Sequence, residues 1–324
     1  MKTLAAVAFW GYLVLLLALP LAWAIWGEAH WLLVLPRYAP PLLYLAFFLA
    51  LAACARLARV KHLGPGFLGG LVLLLIAYLG FSIPQQSRPS GDFAVLSFNI
   101  RAGLGGIDPL SAFLRETDCD VIGLQEARKP VAAAGPDPVP LLAQAMPGYE
   151  LARGGERGEL AILSRHPIRA VVEHPLEDLS TCLEARLEVK GQPLRVLDVH
   201  FMTGDPRGEL KGQGLSLGRR VALSARTRRL QAAALLAVLE KDPVPTILMG
   251  DFNSPPNSET YQMLRAQLQD SFALAGWGCG FTFDSRWPLW RIDYVFGRGV
   301  GAAECRVLNP GVSDHRAVRA VFGL

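Results

Sequence analysis

Three long apolar runs fill the first 84 residues and constrain the fold more than any other feature of the chain. They are Leu4–Trp26 (23 residues), Tyr38–Ala55 (18 residues) and Leu63–Ile83 (21 residues), and none contains a charged residue. About 20 apolar residues suffice for a helix to cross a bilayer. The pattern therefore predicts three transmembrane helices, followed by a part with the polarity of an ordinary globular domain.

Charges around these runs predict the side of the membrane on which the later part lies. Residues 1–90 carry six bases and one acid, whereas residues 91–324 carry 26 bases and 27 acids. Arg56, Arg59 and Lys61 lie between the second and third runs with no acid beside them. Short basic loops stay in the cytoplasm, so the later part is expected outside an inner or plasma membrane. The near-neutral charge of residues 91–324 does not predict a domain whose surface is covered by bound nucleic acid.

A polar segment separates the apolar part from the remainder. Residues 84–92 are rich in Pro, Ser and Gln, a composition typical of linkers. We therefore predict a three-helix transmembrane anchor at 1–83, a linker at 84–92 and a catalytic domain at 93–324. Alternatively, the first run is a cleaved signal peptide, because Leu21-Ala-Trp-Ala24 offers small residues at suitable spacing. Both alternatives leave the later domain on the same side.

After Phe93 the pattern changes to short strands with loops and a few helices between them. The predicted strands are Ala94–Ile100, Val121–Leu124, Glu159–Ser164, Ala170–Glu173, Leu183–Val189, Leu194–His200, Thr246–Met249, Arg291–Phe296, Ala303–Leu308 and Ala317–Phe322. Helices are predicted over Pro109–Thr117 and Ser224–Glu240, and residues 205–229 are predicted as a surface loop. This order indicates an α+β fold, a sandwich of two sheets with helices outside.

Polar side chains occur repeatedly where a predicted strand ends. They are Asn99, Glu126, His200, Asp251, Asn253, Asp293, Asp314 and His315. Taken singly, such a residue is more often a turn former or a solvated side chain. Eight of them on rigid strand ends can converge on one cleft, which favours a functional site.

Five motifs resemble, in order and rough spacing, those of the endonuclease/exonuclease/phosphatase superfamily, the DNase I-like proteins. They are Ser97-Phe-Asn-Ile100, Gly123-Leu-Gln-Glu126, Gly250-Asp-Phe-Asn-Ser-Pro-Pro256, Arg291-Ile-Asp-Tyr294 and Ser313-Asp-His315. The resemblance covers about residues 92–323 and implies a two-sheet α/β sandwich. It also implies cleavage of phosphate esters with a divalent cation, usually Mg²⁺, with Mn²⁺ as a substitute. A compact chain without an organelle signal is typical of a bacterial, membrane-anchored member.

The resemblance implies which residues form the metal-binding side of the site. Glu126 is the implied main ligand with Asn99 beside it, and Asp314 is a further acid on this side; such oxygen ligands suit Mg²⁺. Some members carry an acid two positions after the first Asn, where this chain has Arg101. This departure argues against a second metal. Arg101 either binds phosphate as a bidentate fork or is a solvated strand-end residue.

The resemblance also implies a catalytic side. Asp251 would orient or deprotonate the attacking water, and Asn253 would donate a hydrogen bond to a phosphate oxygen. His315 would contact the phosphate and exchange a proton, with Asp293 fixing its tautomer. His200 resembles the second active-site histidine of the DNase I-like branch. The identity of the general base stays open.

Basic residues are concentrated in the stretch 205–229, which has seven bases against Asp205 and Glu209 and has no aromatic residue. One interpretation is a solvated basic face, and the other is a patch for an anionic substrate or lipid headgroup. The missing aromatics disfavour a base-stacking platform there.

Four cysteines lie in the predicted domain, an even number in a compartment that can be oxidising. Cys279 and Cys305 flank one strand, and a disulfide between them would close a 25-residue loop. Such a loop closure stabilises a protein by about 3 kcal/mol. This pair is our disulfide hypothesis.

These observations predict a membrane-anchored, divalent-metal-dependent phosphoesterase that hydrolyses phosphate mono- or diesters. Its expected partners are the lipid bilayer and a phosphate-ester substrate; no protein partner is inferred. A lipid-linked phosphate is favoured over DNA, because the short linker holds the cleft near the headgroups. One alternative is an extracytoplasmic endonuclease or exonuclease on DNA, which plasmid nicking would reveal. The other is a catalytically inactive binding module, which has no need of the full set of acids, Asn and His.

Overall fold

The structure is a computed structural model that describes residues 1–85, 91–128, 136–155, 158–178, 180–203 and 216–324. Its strands are β1 (Phe93–Asn99), β2 (Val121–Gln125), β3 (Glu150–Gly154), β4 (Leu160–Ser164), β5 (Ile168–Pro175), β6 (Thr181–Val189), β7 (Gln192–His200), β8 (Thr246–Asp251), β9 (Gln269–Asp270), β10 (Asp293–Arg298), β11 (Gly301–Leu308) and β12 (Ala317–Gly323). Its α-helices are α1 (Lys2–Trp26), α2 (Trp31–Tyr38), α3 (Pro41–Leu57), α4 (Leu63–Leu73), α5 (Ile107–Glu116), α6 (Pro138–Ala145), α7 (Leu217–Glu240), α8 (Glu259–Arg265) and α9 (Ser271–Ala275).

The strands form two mixed, six-stranded sheets. The first has the order β11-β12-β1-β2-β4-β3 and the second β5-β6-β7-β8-β10-β9. Two central pairs are parallel, β1 with β2 and β7 with β8. The start of β10 lies antiparallel beside the end of β8, so Asp293 is opposite Asp251. The carboxyl ends of the parallel strands and the start of β10 therefore bring their side chains together at one end of the sandwich.

Three apolar layers hold the sandwich together. The inner faces of the two sheets interdigitate through residues such as Val95, Val196 and Met249. Helices α5 and α6 cover the outer face of the first sheet, and α7 and α8 cover that of the second. The α+β sandwich expected from the strand pattern is therefore confirmed.

The expectation of three transmembrane helices is wrong. In the described residues α1 is the one unbroken helix that is long and apolar enough to cross a membrane, and α2 with α3 reaches this length only if the bent pair counts as one span. Helices α2 and α3 meet at an angle of 82° across the break at Ala39–Pro40, where the proline ring and its effect on the preceding residue prevent a continuous helix. Helix α4 continues through one π-helical turn only to Tyr78. Residues 80–83, which the sequence placed in the third span, turn at Gly80 and pair Ser82 with Gly278.

The N-terminal helices pack on one another with a defined polarity. Phe9 lies against Phe48, and Tyr12 donates a hydrogen bond to the carbonyl of Tyr44, so α1 and α3 are antiparallel. Tyr78 donates to the carbonyl of Leu16. The amino end of α1 therefore lies on the same side of this bundle as the loop between α3 and α4.

Two further expectations need correction. Helix α7 begins at Leu217 rather than at Ser224, so the part of the predicted loop from 217 to 229 is helical; residues 204–215 lie outside the described residues, as do residues 86–90 of the predicted linker. All five cysteines are free, so the predicted Cys279–Cys305 disulfide is wrong. Cys279 packs at the edge of the N-terminal helices, whereas Cys305 lies in the core between the sheets.

Candidate active site

The sequence-predicted residues converge because the parallel strands end together. Asn99 ends β1, His200 ends β7 and Asp251 ends β8. The Asn99 Nδ2 lies 3.1 Å from the Asp251 Oδ2, which shows that the ends of the two sheets meet here. Glycine at 250 is required for this approach: its φ is +148°, and a Cβ there would stand 2.1 Å from the carbonyl oxygen of Val199.

Asp293 and His315 form a buried carboxylate–imidazole pair. Both Asp293 oxygens lie 2.9–3.0 Å from the His315 Nδ1, and the two side chains are almost inaccessible to solvent. The His315 Nε2 lies 3.7 Å from the Asp251 Oδ2. Burial alone would lower the pKa of His315, but the Asp293 and Asp251 charges outweigh it and raise the pKa to about 10. This imidazole is therefore a cation at neutral pH, with its Nε2 directed to the cleft.

Asp251 lies at the centre of the site. It accepts hydrogen bonds from the Asn99 amide and from the backbone N–H of Asn253 at 2.9 Å. Burial raises its pKa, the nearby Asp293 charge adds to the increase, and the two histidines oppose it. The carboxylate is thus fixed in place and is a better proton acceptor than an exposed aspartate. Asn253 also donates from its Nδ2 to the carbonyl of Phe201.

Glu126 stands at the more open side of the site. Its side chain is 42% exposed, and its Oε1 accepts a hydrogen bond of 3.0 Å from the Asn99 Nδ2. Its backbone has φ +49°, a left-handed conformation that non-glycine residues rarely adopt and that is concentrated at functional sites. The His200 Nε2 lies 4.0 Å from Glu126 and 3.7 Å from Asp251.

Among the described residues, one group of acidic and histidine side chains has ligand atoms close enough to hold a metal ion. One ligand atom each from Asp251, Asp293 and His315 lie within 4.8 Å of one another. The His315 Nδ1 is already engaged by Asp293 and the ring is cationic, so this set is better explained as a hydrogen-bonded pair beside a carboxylate.

Glu126 and Asp251 each accept a hydrogen bond from the Asn99 Nδ2, so the two carboxylates lie close together, and Glu126 is partly open to solvent. The Asn99 oxygen accepts the backbone N–H of Arg101. Carboxylate oxygens such as those of Glu126 and Asp251 are the ligands that a hard divalent cation prefers.

Arg101 and Asp314 are joined by an ion pair of 3.3 Å. The Asp314 side chain is 28% exposed and borders the cleft, whereas Arg101 is 54% exposed and does not. The structure therefore ties the predicted phosphate-binding arginine to the predicted metal-side acid.

Residues that the sequence did not single out support this arrangement. The Ser313 hydroxyl donates to the carbonyl of Asn99, which joins the Ser-Asp-His motif to β1. The Thr282 hydroxyl accepts the backbone N–H of Asp293. Beneath the site, Gln125 donates to the buried Asp198 at 2.6 Å, and burial raises the pKa of Asp198. Gln125 and Ser313 lie inside two of the quoted motifs, so the sequence carried a signal for them. Thr282 and Asp198 lie in none of these motifs, and their spacing gave no signal.

The site opens into a cavity of about 970 Å³. Six of the predicted residues line it: Glu126, His200, Asp251, Asn253, Asp314 and His315. The other walls are mostly apolar and include aromatic residues of the loop 283–290 and of α2, which sequence patterns did not connect with the site.

A two-sheet sandwich with such a site at its strand ends defines the class of hydrolytic phosphoesterases and nucleases. A sequence model of the Endonuclease/Exonuclease/phosphatase family matches residues 96–315, and the chain belongs to this family. No curated protein matches the chain significantly in sequence.

Solved structures share this fold. A family protein from Leptotrichia buccalis superposes with a TM-score of 0.56 at 20% identity, covering 72% of this chain and 100% of its own. A mannosyl-6-phosphatase from Bacteroides thetaiotaomicron has the same TM-score and coverage at 18% identity. A humanized D. rerio TDP2 also reaches 0.56 at 18% identity, covering 72% of this chain and 99% of its own.

Proposed function

We propose that this protein is a divalent-metal-dependent hydrolase of phosphate esters, attached to a membrane by its N-terminal helix. The observation that carries the proposal is the meeting of Asp251, the Asp293–His315 pair and the Asn99–Glu126 pair in one cleft. Each group has a separate task in moving a phosphoryl group from an ester oxygen to water.

Glu126 and Asn99, with Asp251 behind them, would hold a Mg²⁺ or Mn²⁺ ion, which would neutralise charge on the phosphate oxygens. Asp251 orients the attacking water and accepts its proton as the new P–O bond forms. The His315 cation lies 3.7 Å from Asp251, and its Nε2 donates a proton to the ester oxygen as that P–O bond breaks. Asp293 holds the opposite ring nitrogen and keeps the ring cationic.

His200 and Asn253 complete this scheme as substrate-positioning residues. His200 lies between the two acids of the site. Asn253 borders the cavity directly after β8, where its amide can donate to a non-bridging phosphate oxygen.

The proposed location is the inner or plasma membrane, with the catalytic part on the outer side. Lys2 and the basic loop of Arg56, Arg59 and Lys61 belong to the same end of the helical bundle, given the antiparallel packing of α1 and α3. The opposite end contacts the catalytic part, where Glu28 is hydrogen-bonded to Glu259. The positive-inside rule places the basic end in the cytoplasm.

Phosphate release by the full-length protein in detergent tests the catalytic proposal. The substrates would be sugar phosphates, alkyl phosphates, nucleotides and plasmid DNA. We expect hydrolysis that stops in EDTA and returns with Mg²⁺ or Mn²⁺, and a Glu126→Ala variant that loses most of its activity. Full activity in EDTA would overturn the metal assignment. Nicking of DNA without release of phosphate from any small ester would favour the nuclease alternative.

A further inference from the structure

The catalytic cavity continues into an apolar arm beside the phosphoester-cleaving groups. Apolar and aromatic side chains line this arm, among them Leu35, Tyr38, Val221, Phe283, Trp287 and Trp290. Among the described residues that line the cavity there is no Lys or Arg. A nucleic acid is bound mainly through such cations along its backbone, whereas a hydrocarbon chain is bound by apolar walls like those of the described lining.

One wall of the arm comes from α2, which lies outside the residues matched by the family. Val34 packs on Val221 and Ala225 of α7, while Leu35 faces the cavity. The indole nitrogen of Trp290 donates a hydrogen bond of 3.1 Å to the carbonyl of Tyr38, which joins the end of α2 to the loop 283–290.

A cluster of four charges, of which Glu28 and Arg37 are buried and Arg229 and Glu259 are partly exposed, holds α2 in this position. The Glu28 side chain is fully buried and accepts a hydrogen bond of 2.8 Å from Arg229 of α7. Glu28 also accepts the backbone N–H of Glu259, while Arg37 of α2 lies 3.5 Å from Glu28. A buried charge is costly unless it is paired. The cluster therefore holds the segment between α1 and α2 against the catalytic part.

We propose that the arm binds a hydrocarbon chain, so that the substrate is a phosphate ester of a lipid-like alcohol. This inference rests on the proposed function, because the ester bond must lie at Asp251 and His315 while its chain lies along α2. Only residues 27–30 separate α1 from α2. Five extended peptide steps span at most about 17 Å, so the arm lies near the end of the helix that is proposed to enter the membrane.

A series of monoalkyl phosphates from methyl to dodecyl tests the inference with the full-length protein in nanodiscs. Burial of each methylene increases affinity about four-fold, so kcat/KM should rise with chain length until the arm is full. Leu35→Ala and Trp287→Ala should flatten this dependence, so that the ratio of kcat/KM for dodecyl phosphate to that for methyl phosphate falls. Leu32→Ala is the matched control, because Leu32 lies on the same helix, is 58% exposed and does not line the cavity.

Binding of dodecylphosphonate and methylphosphonate, which are not hydrolysed, separates this inference from the proposed function. Tighter binding of the dodecyl compound that depends on Leu35 but not on Leu32 supports the arm, even if no ester is cleaved and the hydrolase proposal fails. Equal binding of both compounds, a rate independent of chain length, or a preference for DNA overturns the inference.

Discussion

The side chain with the most informative environment is His315. Its ring is buried, yet its pKa is raised to about 10 because Asp293 and Asp251 face it. A raised pKa means that the cation persists below about pH 10 and is lost above it. In the proposed reaction, this cation stabilises negative charge on the phosphate and then donates its proton to the leaving oxygen.

Replacement of Asp293 by Asn should move the alkaline limit of activity. The variant loses the carboxylate beside the His315 Nδ1, so the pKa of His315 falls from about 10 toward the ordinary value near 6.5. The pH–rate profile should lose activity at lower pH than in the wild type, and its plateau should fall about 10²- to 10⁴-fold. An unchanged alkaline limit would show that His315 is not the titrating acid.

For single residues, the sequence predicted which side chains form the site better than it predicted the hydrogen bonds and ion pairs between them. Asn99, Asp251 and Asp293 were predicted from motifs at strand ends, and the structure brings them together. The ion pair of Arg101 with Asp314 was not predicted, because a strand-end arginine has many possible partners. The roles of all these residues stay predictions.

Among the elements, β6 and β7 show how a charged cluster is kept inside a sheet. Glu184 of β6 is fully buried and receives hydrogen bonds from Arg195 of β7, which is 2% exposed. His174 of β5 lies 2.7 Å away from the same carboxylate. Burial alone would raise the pKa of Glu184, but Arg195 and His174 outweigh it and lower the pKa.

The Glu184→Gln variant should therefore be less stable near neutral pH. It leaves Arg195 buried without its nearer anion, since Asp242 lies 4.0 Å away, and the loss costs about 3–5 kcal/mol in the free energy of unfolding. Because the folded-state pKa of Glu184 is depressed, this stabilisation is present above the unfolded pKa and is lost as the pH falls through the folded one. Urea unfolding at several pH values should show the two proteins converging in acid.

Glu188→Gln is the matched control on the same strand. Glu188 is half exposed and pairs with the exposed Arg169, so its replacement should change the free energy of unfolding by less than about 1 kcal/mol. A loss as large for Glu188 as for Glu184 would contradict the assignment.

Strands were more predictable than short helices. Each predicted strand lies within about two residues of an observed one, because alternation and buried runs mark them directly. The short helices α6, α8 and α9 were missed, since five to eight residues give too few turns for an apolar stripe. The start of α7 was missed because Arg219 and Arg220 interrupt its apolar face.

At the scale of the whole molecule, the N-terminal helices are joined to the rest of the protein by buried charged residues. Glu28 and Arg37, both buried, connect it to α7 and α8. Hydropathy alone predicted three spans, because apolar length does not reveal that α2 bends away from α3 or that residues 80–83 join the catalytic part. Those features depend on contacts between residues far apart in sequence.

Reporter fusions at the C-terminus test the proposed orientation. With the basic end of the bundle in the cytoplasm, alkaline phosphatase fused after Leu324 should be active and green fluorescent protein should be dark. A fusion before Lys2, at the amino end of α1, serves as the reference for the opposite side. The reverse pattern at Leu324 would place the catalytic part in the cytoplasm.

The most direct test of the central claim compares two histidines of the full-length protein. His315 pairs with Asp293 in the cleft. His166 pairs with Asp120 at 3.2 Å, where β2 starts and β4 ends, so it lies at the end of these strands opposite to the site. With any phosphate ester that the wild type hydrolyses in Mg²⁺, His315→Ala should reduce kcat/KM by about 10²- to 10⁴-fold, and His166→Ala should leave it within a few-fold. Equal effects of the two substitutions, or a folded His315→Ala protein with full activity, would contradict the account.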